Sequence, residues 1–197
     1  MPPILLASSS VYRRELLSKL RLPFEWANPN IDEAPGKDER ADDLVARLAE
    51  SKAKALTNKY PNRLIIGSDQ VSLRGSTILG KPHDYQRAFA QLRAASGKQI
   101  IFKTGLCVLN TITKQSLVCV EEFSVFFREL SDDQIHNYLI HDEPYDCAGS
   151  FKCEGLGISL FTKLSGDDPN TLIGLPLIRL VEMLKQNGVD PLLHAKK

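Results

Sequence analysis

Apolar residues recur along the chain in two rhythms. Ile4-Leu5-Leu6-Ala7 is an unbroken apolar run, and Tyr12, Leu16, Leu17 and Leu20 follow at helical spacing. The run reads as a buried strand and the spacing as an amphipathic helix. Ser8-Ser9-Ser10 joins them with hydroxyls suited to capping a helix start. Phe24 to Ala27 predicts a short strand, Asn28-Pro29-Asn30 a turn, and Ala34 to Arg40 a polar loop. A helix capped by Asp42 or a neighbour is expected to run to about Lys59, with Leu44, Val45, Leu48, Ala55 and Leu56 inward. Leu64-Ile65-Ile66 reads as a core strand that Gly67 lets bend, leaving Asp69 and Gln70 at its end.

Further on, Arg74-Gly75-Ser76 predicts a hairpin turn. Asp84 caps a helix carrying Ala88, Phe89 and Leu92, which Ser96-Gly97 ends. Two long strands, Gln99 to Asn110 and Ser116 to Arg128, are joined by a hairpin at Thr111 to Gln115. Ser131-Asp132-Asp133-Gln134 is a capping box for a helix to about Ile140. A polar loop from Pro144 to Gly157 leads into a strand at Ile158 to Phe161. Pro176 opens a last helix with Leu177, Leu180, Val181 and Leu184 inward, and a tail from about 190 to 197 is expected to fray. The pattern predicts an α/β fold with a mixed sheet, about five helices, and a central cleft between two parts.

Composition narrows the classes. The 197 residues suit a single domain, 1–197, large enough for two lobes and a substantial core. The formal charge of +1 gives no general attraction to nucleic acid or anionic membrane. No apolar run is long enough to span a bilayer, and Met1-Pro2-Pro3 does not begin a signal peptide, so a cytoplasmic location is the expectation. Cys107, Cys119, Cys147 and Cys153 form no C-x-x-C pair, and core packing is the reading for Cys107 and Cys119.

Four places carry candidate chemistry. Arg13 and Arg14 fall in the first turn after Ser10, where the helix dipole disfavours each cation by about 0.3–1 kcal/mol. They suit either a solvated surface or an anion docked on backbone N–H groups, serine hydroxyls and two guanidinium forks. Lys52 falls on the apolar stripe between Leu48 and Leu56, and either snorkels to its edge or reaches into a phosphate site. Asp32 and Glu33 are either solvated or oxygen ligands for a divalent metal. Asp69 and Gln70 sit where α/β sheets commonly present ligand-facing groups. Gly80-Lys81-Pro82 is not a phosphate-binding P-loop.

These stretches, in this order, resemble the Maf family of nucleoside triphosphate pyrophosphatases. The carriers are Leu6-Ala7-Ser8-Ser9-Ser10 with Arg13-Arg14, Ile31-Asp32-Glu33, Glu50-Ser51-Lys52-Ala53 and Gly67-Ser68-Asp69. They continue with Gly80-Lys81-Pro82, Ala148-Gly149-Ser150-Phe151, Asp168-Pro169-Asn170-Thr171 and Gly174-Leu175-Pro176-Leu177. Val11 departs from the family, which usually has proline there; the helix start should be slightly looser. The resemblance implies a two-lobed fold like that of the inosine triphosphate pyrophosphatases. It implies cleavage between the α- and β-phosphates, a divalent metal (Mg²⁺ or Mn²⁺), and often a homodimer.

What the resemblance implies for residues is specific. Asp69 matches the proton acceptor. Ser10, Arg13, Arg14, Lys52 and Lys81 would hold the phosphates, and Glu33 and Asp69 would be metal ligands. Tyr12, Gln70 and Glu154 occupy specificity positions and look most like the subgroup acting on 7-methyl-GTP; the dTTP/UTP subgroup typically carries Arg, Thr and Gln there. The chemistry agrees, because N7-methylation makes guanine cationic. An aromatic face such as Tyr12 attracts a cationic ring, either stacking on it or bordering it. A carboxylate such as Glu154 accepts from guanine's N1–H and 2-amino group, a donor pair that thymine and uracil lack. The expected role is removal of modified nucleotides, with a dTTP/UTP enzyme or a nucleotide-sensing regulator of cell division as the rivals.

Overall fold

A computed structural model describes residues 1–195. Its strands are β1 (Ile4–Ala7), β2 (Phe24–Ala27), β3 (Leu64–Arg74), β4 (Thr77–Leu79), β5 (Gln99–Asn110), β6 (Gln115–Phe127) and β7 (Phe161–Ser165). Its helices are α1 (Val11–Ser18), α2 (Ala41–Lys54), α3 (Tyr85–Ala95), α4 (Asp132–Asp142), α5 (Asn170–Ile173), α6 (Leu177–Gln186) and α7 (Pro191–His194). Short 3₁₀ turns cover Ala148–Ser150 and Leu156–Leu160. The seven-stranded sheet has the order β2-β1-β3-β5-β6-β7, with β4 paired to β3. It is mixed: β1 is parallel to β2 and β3, while β3–β4 and β6–β7 are antiparallel. The α/β expectation therefore holds.

The chain divides into two compact units, Met1–Gln70 with Thr104–Glu121 and Asp168–Lys197, and Val71–Lys103 with Glu122–Asp167. In the first unit the sheet is covered on both faces. Ile4 and Leu6 join Ile66, Leu106 and Val108 against Leu16 and Leu17 of α1 and Leu180 and Leu184 of α6. Leu5 and Ala7 join Ile65 and Cys107 against Ala49 and Ala53 of α2. This explains why β1 is an apolar run without alternation: it has no solvent face. The second unit has an aromatic core. Phe151 packs nearly edge-on against Phe102, Phe127 and Phe161, with centroids 5.5, 5.8 and 4.8 Å apart.

Several expected boundaries move. No side chain caps α2; Arg40 precedes it, while Asp42 and Asp43 lie in its first turn. α2 ends at Lys54 and only turns continue toward Tyr60. Ala55 is exposed, and Ala49 and Ala53 complete the buried stripe instead. β3 does not stop near Gln70 but runs to Arg74, because β4 pairs with Ser72 to Arg74. Ile158 to Leu160 is a 3₁₀ turn rather than strand, and β7 starts at Phe161. Val181 is half-buried and Met183 takes the inward place in α6. The tail, expected to fray, carries the short α7, whose first turn is capped by Asp190 at 3.0 Å from Leu192 N. Residues 196 and 197 lie outside the described residues.

Candidate active site

The turn from β1 into α1 is self-capped. Ser8 Oγ accepts from Ser10 N at 3.1 Å, and Ser10 Oγ accepts from Arg13 N at 3.3 Å. Ser10 is thus the expected N-cap. Tyr12 lies half-buried in the first turn. The two arginines that follow take different partners. Arg13 Nε donates to the Gly174 carbonyl at 2.8 Å. Burial lowers its pKa, while Asp69 and Glu33 oppose the shift. Arg14 lies over the Trp26 ring, 4.1 Å from the centroid, and its Nε is buried without a hydrogen-bond acceptor. The first-turn cations are therefore offset partly by the protein's own acids and partly by an aromatic face.

α2 and β3 build the centre of the cluster. A Cβ at Gly67 would strike the Ala49 carbonyl, so glycine allows α2 to lie directly on β3. Lys52 is nearly one helical turn beyond Ala49, and Asp69 lies two residues beyond Gly67 on the same strand face. That approach delivers Lys52 Nζ to Asp69 Oδ1 at 2.6 Å. Lys52 is 5% and Asp69 7% exposed, so Lys52 does not snorkel. Glu33 Oε1 reaches the same ammonium at 3.0 Å from a more exposed position. Two carboxylates thus converge on one cationic point. Among the described residues no group of three or more His, Cys, Asp or Glu forms a complete metal site. Lys52 and Arg13 are thus the cations that Asp69 and Glu33 act on, two charges of each sign.

The other face of β3 carries different chemistry. Ser68 Oγ donates to the Gly174 carbonyl at 2.9 Å, beside the Arg13 bond. Gln70 Nε2 donates to Thr104 Oγ1 at 2.9 Å and to the Thr171 carbonyl at 2.7 Å. The receiving segment is shaped by Asp168, 4% exposed, whose Oδ1 accepts from Asn170 N at 2.8 Å and Oδ2 from Ile178 N at 2.8 Å. Gly174, at φ +115°, closes α5 in a conformation that other residues rarely adopt.

The loop bearing Glu33 is tied to α2 by a latch that the sequence reading missed. Arg47 donates to Glu39 Oε1 and Oε2 at 2.6 and 2.8 Å and to the Ala34 carbonyl at 3.2 Å. Arg47 and the Gly36 N–H hold the Glu39 carboxyl down at about 2. Trp26 and Thr104 were missed as well. The Arg47–Glu39 pair is eight residues apart, a loop-to-helix spacing with no periodic signature. Ser68 was visible in principle, since it shares a strand face with Gln70.

Lys81 and Glu154 belong to the second unit. Both are exposed. Glu154 lies in the turn after Lys152, whose N–H meets Tyr138 OH at 3.0 Å and whose Nζ meets the Asp142 carbonyl at 2.8 Å.

The Maf-like protein family model matches residues 3–187. The chain belongs to the Maf family. It is 57% identical over 187 residues to the 7-methyl-GTP pyrophosphatase of Nitrosococcus oceani, covering 95% of this chain and 94% of that one. The protein of the same name from Colwellia psychrerythraea is 54% identical across 100% of this chain and 98% of its own. That from Pseudomonas aeruginosa is 54% identical, covering 96% and 99%. Among solved structures, the Ham1 protein of Staphylococcus aureus matches with a TM-score of 0.50 at 14% identity, covering 95% of this Maf chain and all of that one. That likeness concerns the fold alone. No helix among the described residues is long and apolar enough to cross a membrane.

Proposed function

We propose that this Maf protein hydrolyses 7-methyl-GTP to 7-methyl-GMP and pyrophosphate. The observation that carries the reading is identity of 54–57% over nearly the whole chain to proteins of that name. The buried Lys52–Asp69 pair beside Arg13 supports it, because a pure phosphate binder gains little from a carboxylate among its cations.

In this reading Asp69 orients the attacking water and takes its proton. A bond forms from the water oxygen to the α-phosphorus, and the bond to the bridging oxygen breaks, releasing pyrophosphate. Lys52 supplies the counter-charge that keeps a buried carboxylate in place. Arg13, held through Nε, has Nη1 and Nη2 to meet phosphate oxygens as charge shifts onto the leaving group. Glu33 and Asp69, which both reach Lys52, would hold a divalent cation that arrives with the nucleotide, since Mg²⁺ is commonly held by one or two carboxylates plus substrate phosphates. Bound there, such an ion would acidify a water and neutralise phosphate charge. The phosphate role of Lys81 and the base role of Glu154 rest on the family resemblance alone.

The test is pyrophosphate release from 7-methyl-GTP, GTP, dTTP and UTP with Mg²⁺ or Mn²⁺, with Asp69→Asn as the blank. Preferred cleavage of 7-methyl-GTP is expected. Preference for dTTP or UTP would retain the reaction and discard the base assignment. Binding without turnover of any of them would make the chain a nucleotide sensor.

A further inference from the structure

Trp26 is a large side chain that the core does not require. It stands on β2, an edge strand of the sheet, and is 50% exposed. The register of β2 against β1 decides which way it faces. Ile4 pairs with Phe24 and Leu6 with Trp26, and Ile4, Leu6 and Phe24 pack in one cluster with Leu16 and Leu17 of α1. Alternation along β2 puts Trp26 on that same face, toward the carboxyl end of β1, where α1 begins. There its ring meets the guanidinium of Arg14, with Cζ 4.1 Å from the ring centroid. A contact made through Cζ holds an arginine without a hydrogen bond, so its N–H donors stay available. Arg13 is held the opposite way, with Nε committed to the Gly174 carbonyl at 2.8 Å. Arg14 Nε is buried and has no acceptor among the described residues. A buried N–H without a partner is unfavourable until an oxygen reaches it, and a bound phosphate would supply one.

We infer that Trp26 is a positioning residue for phosphate binding: its ring fixes the Arg14 guanidinium at the start of α1 with Nε uncommitted, ready for a phosphate oxygen. Trp26 itself touches no substrate; it acts through Arg14. The inference rests on the phosphate role that the family resemblance implies for Arg14, and it adds a residue that none of the motifs carrying that resemblance includes.

Trp26 is the only tryptophan in the chain, so intrinsic emission reads this contact alone. The probe is inorganic tripolyphosphate, which neither absorbs nor emits in the tryptophan range. It is titrated with Mg²⁺ into Asp69→Asn enzyme, so that it is held rather than cleaved. Binding should change the Trp26 emission, and Arg14→Met should abolish the change. In calorimetric titration Trp26→Leu should weaken Kd by about threefold to tenfold, while Trp26→Phe, which keeps a ring, should stay within about twofold. In an Arg14→Met background Trp26→Leu should cost less than about twofold more, because no guanidinium is left to hold. Kd is read on folded protein, so a loss of stability by itself does not move it. An unchanged Kd for Trp26→Leu would overturn the inference. So would equal losses with and without Arg14, or binding that leaves the emission unchanged; each of these would leave the proposed function standing. Failure of the probe to bind would remove the phosphate reading of Arg14, and the inference with it. Binding as described, in a wild type that releases no pyrophosphate from 7-methyl-GTP, would remove the proposed function and keep Trp26 as the anchor of an anion site.

Discussion

The two units hold their candidate residues in different ways. In the first, the partners are distant in sequence and largely buried: Lys52 with Asp69, Arg13 with Gly174, Gln70 with Thr104 and Thr171. In the second, Lys81 and Glu154 are exposed, and the interior is a cluster of phenylalanines. Charge in the first unit is thus fixed in place before any ligand arrives, the arrangement that electrostatic stabilisation requires. Stability of the second unit comes from apolar area and ring packing, which leaves its surface loops free to vary. Rigidity of a site residue follows from whether its partners are buried, not from its being charged.

The contrast can be broken most sharply at Asp69. Asp69→Asn should reduce turnover by about 10²–10⁴-fold while nucleotide binding persists, measured by pyrophosphate release beside calorimetric titration. Unchanged turnover would remove Asp69 from the chemistry. Lys52→Met should destabilise the fold by about 3–5 kcal/mol in urea unfolding, since it strands a buried carboxylate. Asp69→Asn should destabilise it less, because Lys52 keeps Glu33 at 3.0 Å. Similar losses for both variants would show that the pair is not the anchor described. In the second unit, Phe127→Ala should cost about 3–5 kcal/mol through the lost contacts with Phe151 and Phe161. Its kcat per folded molecule should stay near wild type; a collapse of kcat in fully folded protein would end the division of labour drawn above.

The smallest effect concerns the Glu39 latch. Its carboxyl is held at about 2 in the folded protein, against 4.5 for an ordinary glutamate. A depressed value means that the latch contributes fully above about pH 4.5 and is lost as pH falls through about 2. Wild type and Glu39→Gln should therefore differ in hydrogen exchange over residues 34–39 at neutral pH and converge only below about pH 2. A difference that stays undiminished as pH falls through about 2 would mean that the carboxylate charge is not what closes the loop.

Much of the fold was legible because its signals are local. Ser10, Asp84 and Ser131 cap helices as the hydroxyl and carboxylate pattern predicts. The apolar run of β1 announced a strand buried on both faces. Lys52 broke the stripe of α2 visibly enough to be suspected. The errors fell where local and tertiary preferences compete. Gly67 and the polar pair after it looked like a strand end, yet pairing with β4 carries β3 through to Arg74. Asp42 looked like a cap and is not one.

The sequence by itself determined most of the helices and strands, most of their apolar faces, and which residue types are out of place: two arginines at a helix start, a lysine on an apolar stripe, an acid beside a core strand. Periodicity and capping depend on neighbours within a few residues, so they can be read from the chain alone. Only the tertiary structure decided who meets whom. Arg13 and Gly174 are 161 residues apart, and Gln70 and Thr171 are 101. Alternation along β3 sends Asp69 toward α2 and Ser68 and Gln70 toward the segment that follows Asp168. Whether a buried charge finds a partner, and which end of an amide is presented, depends on groups brought together by packing, and no local rule carries that information.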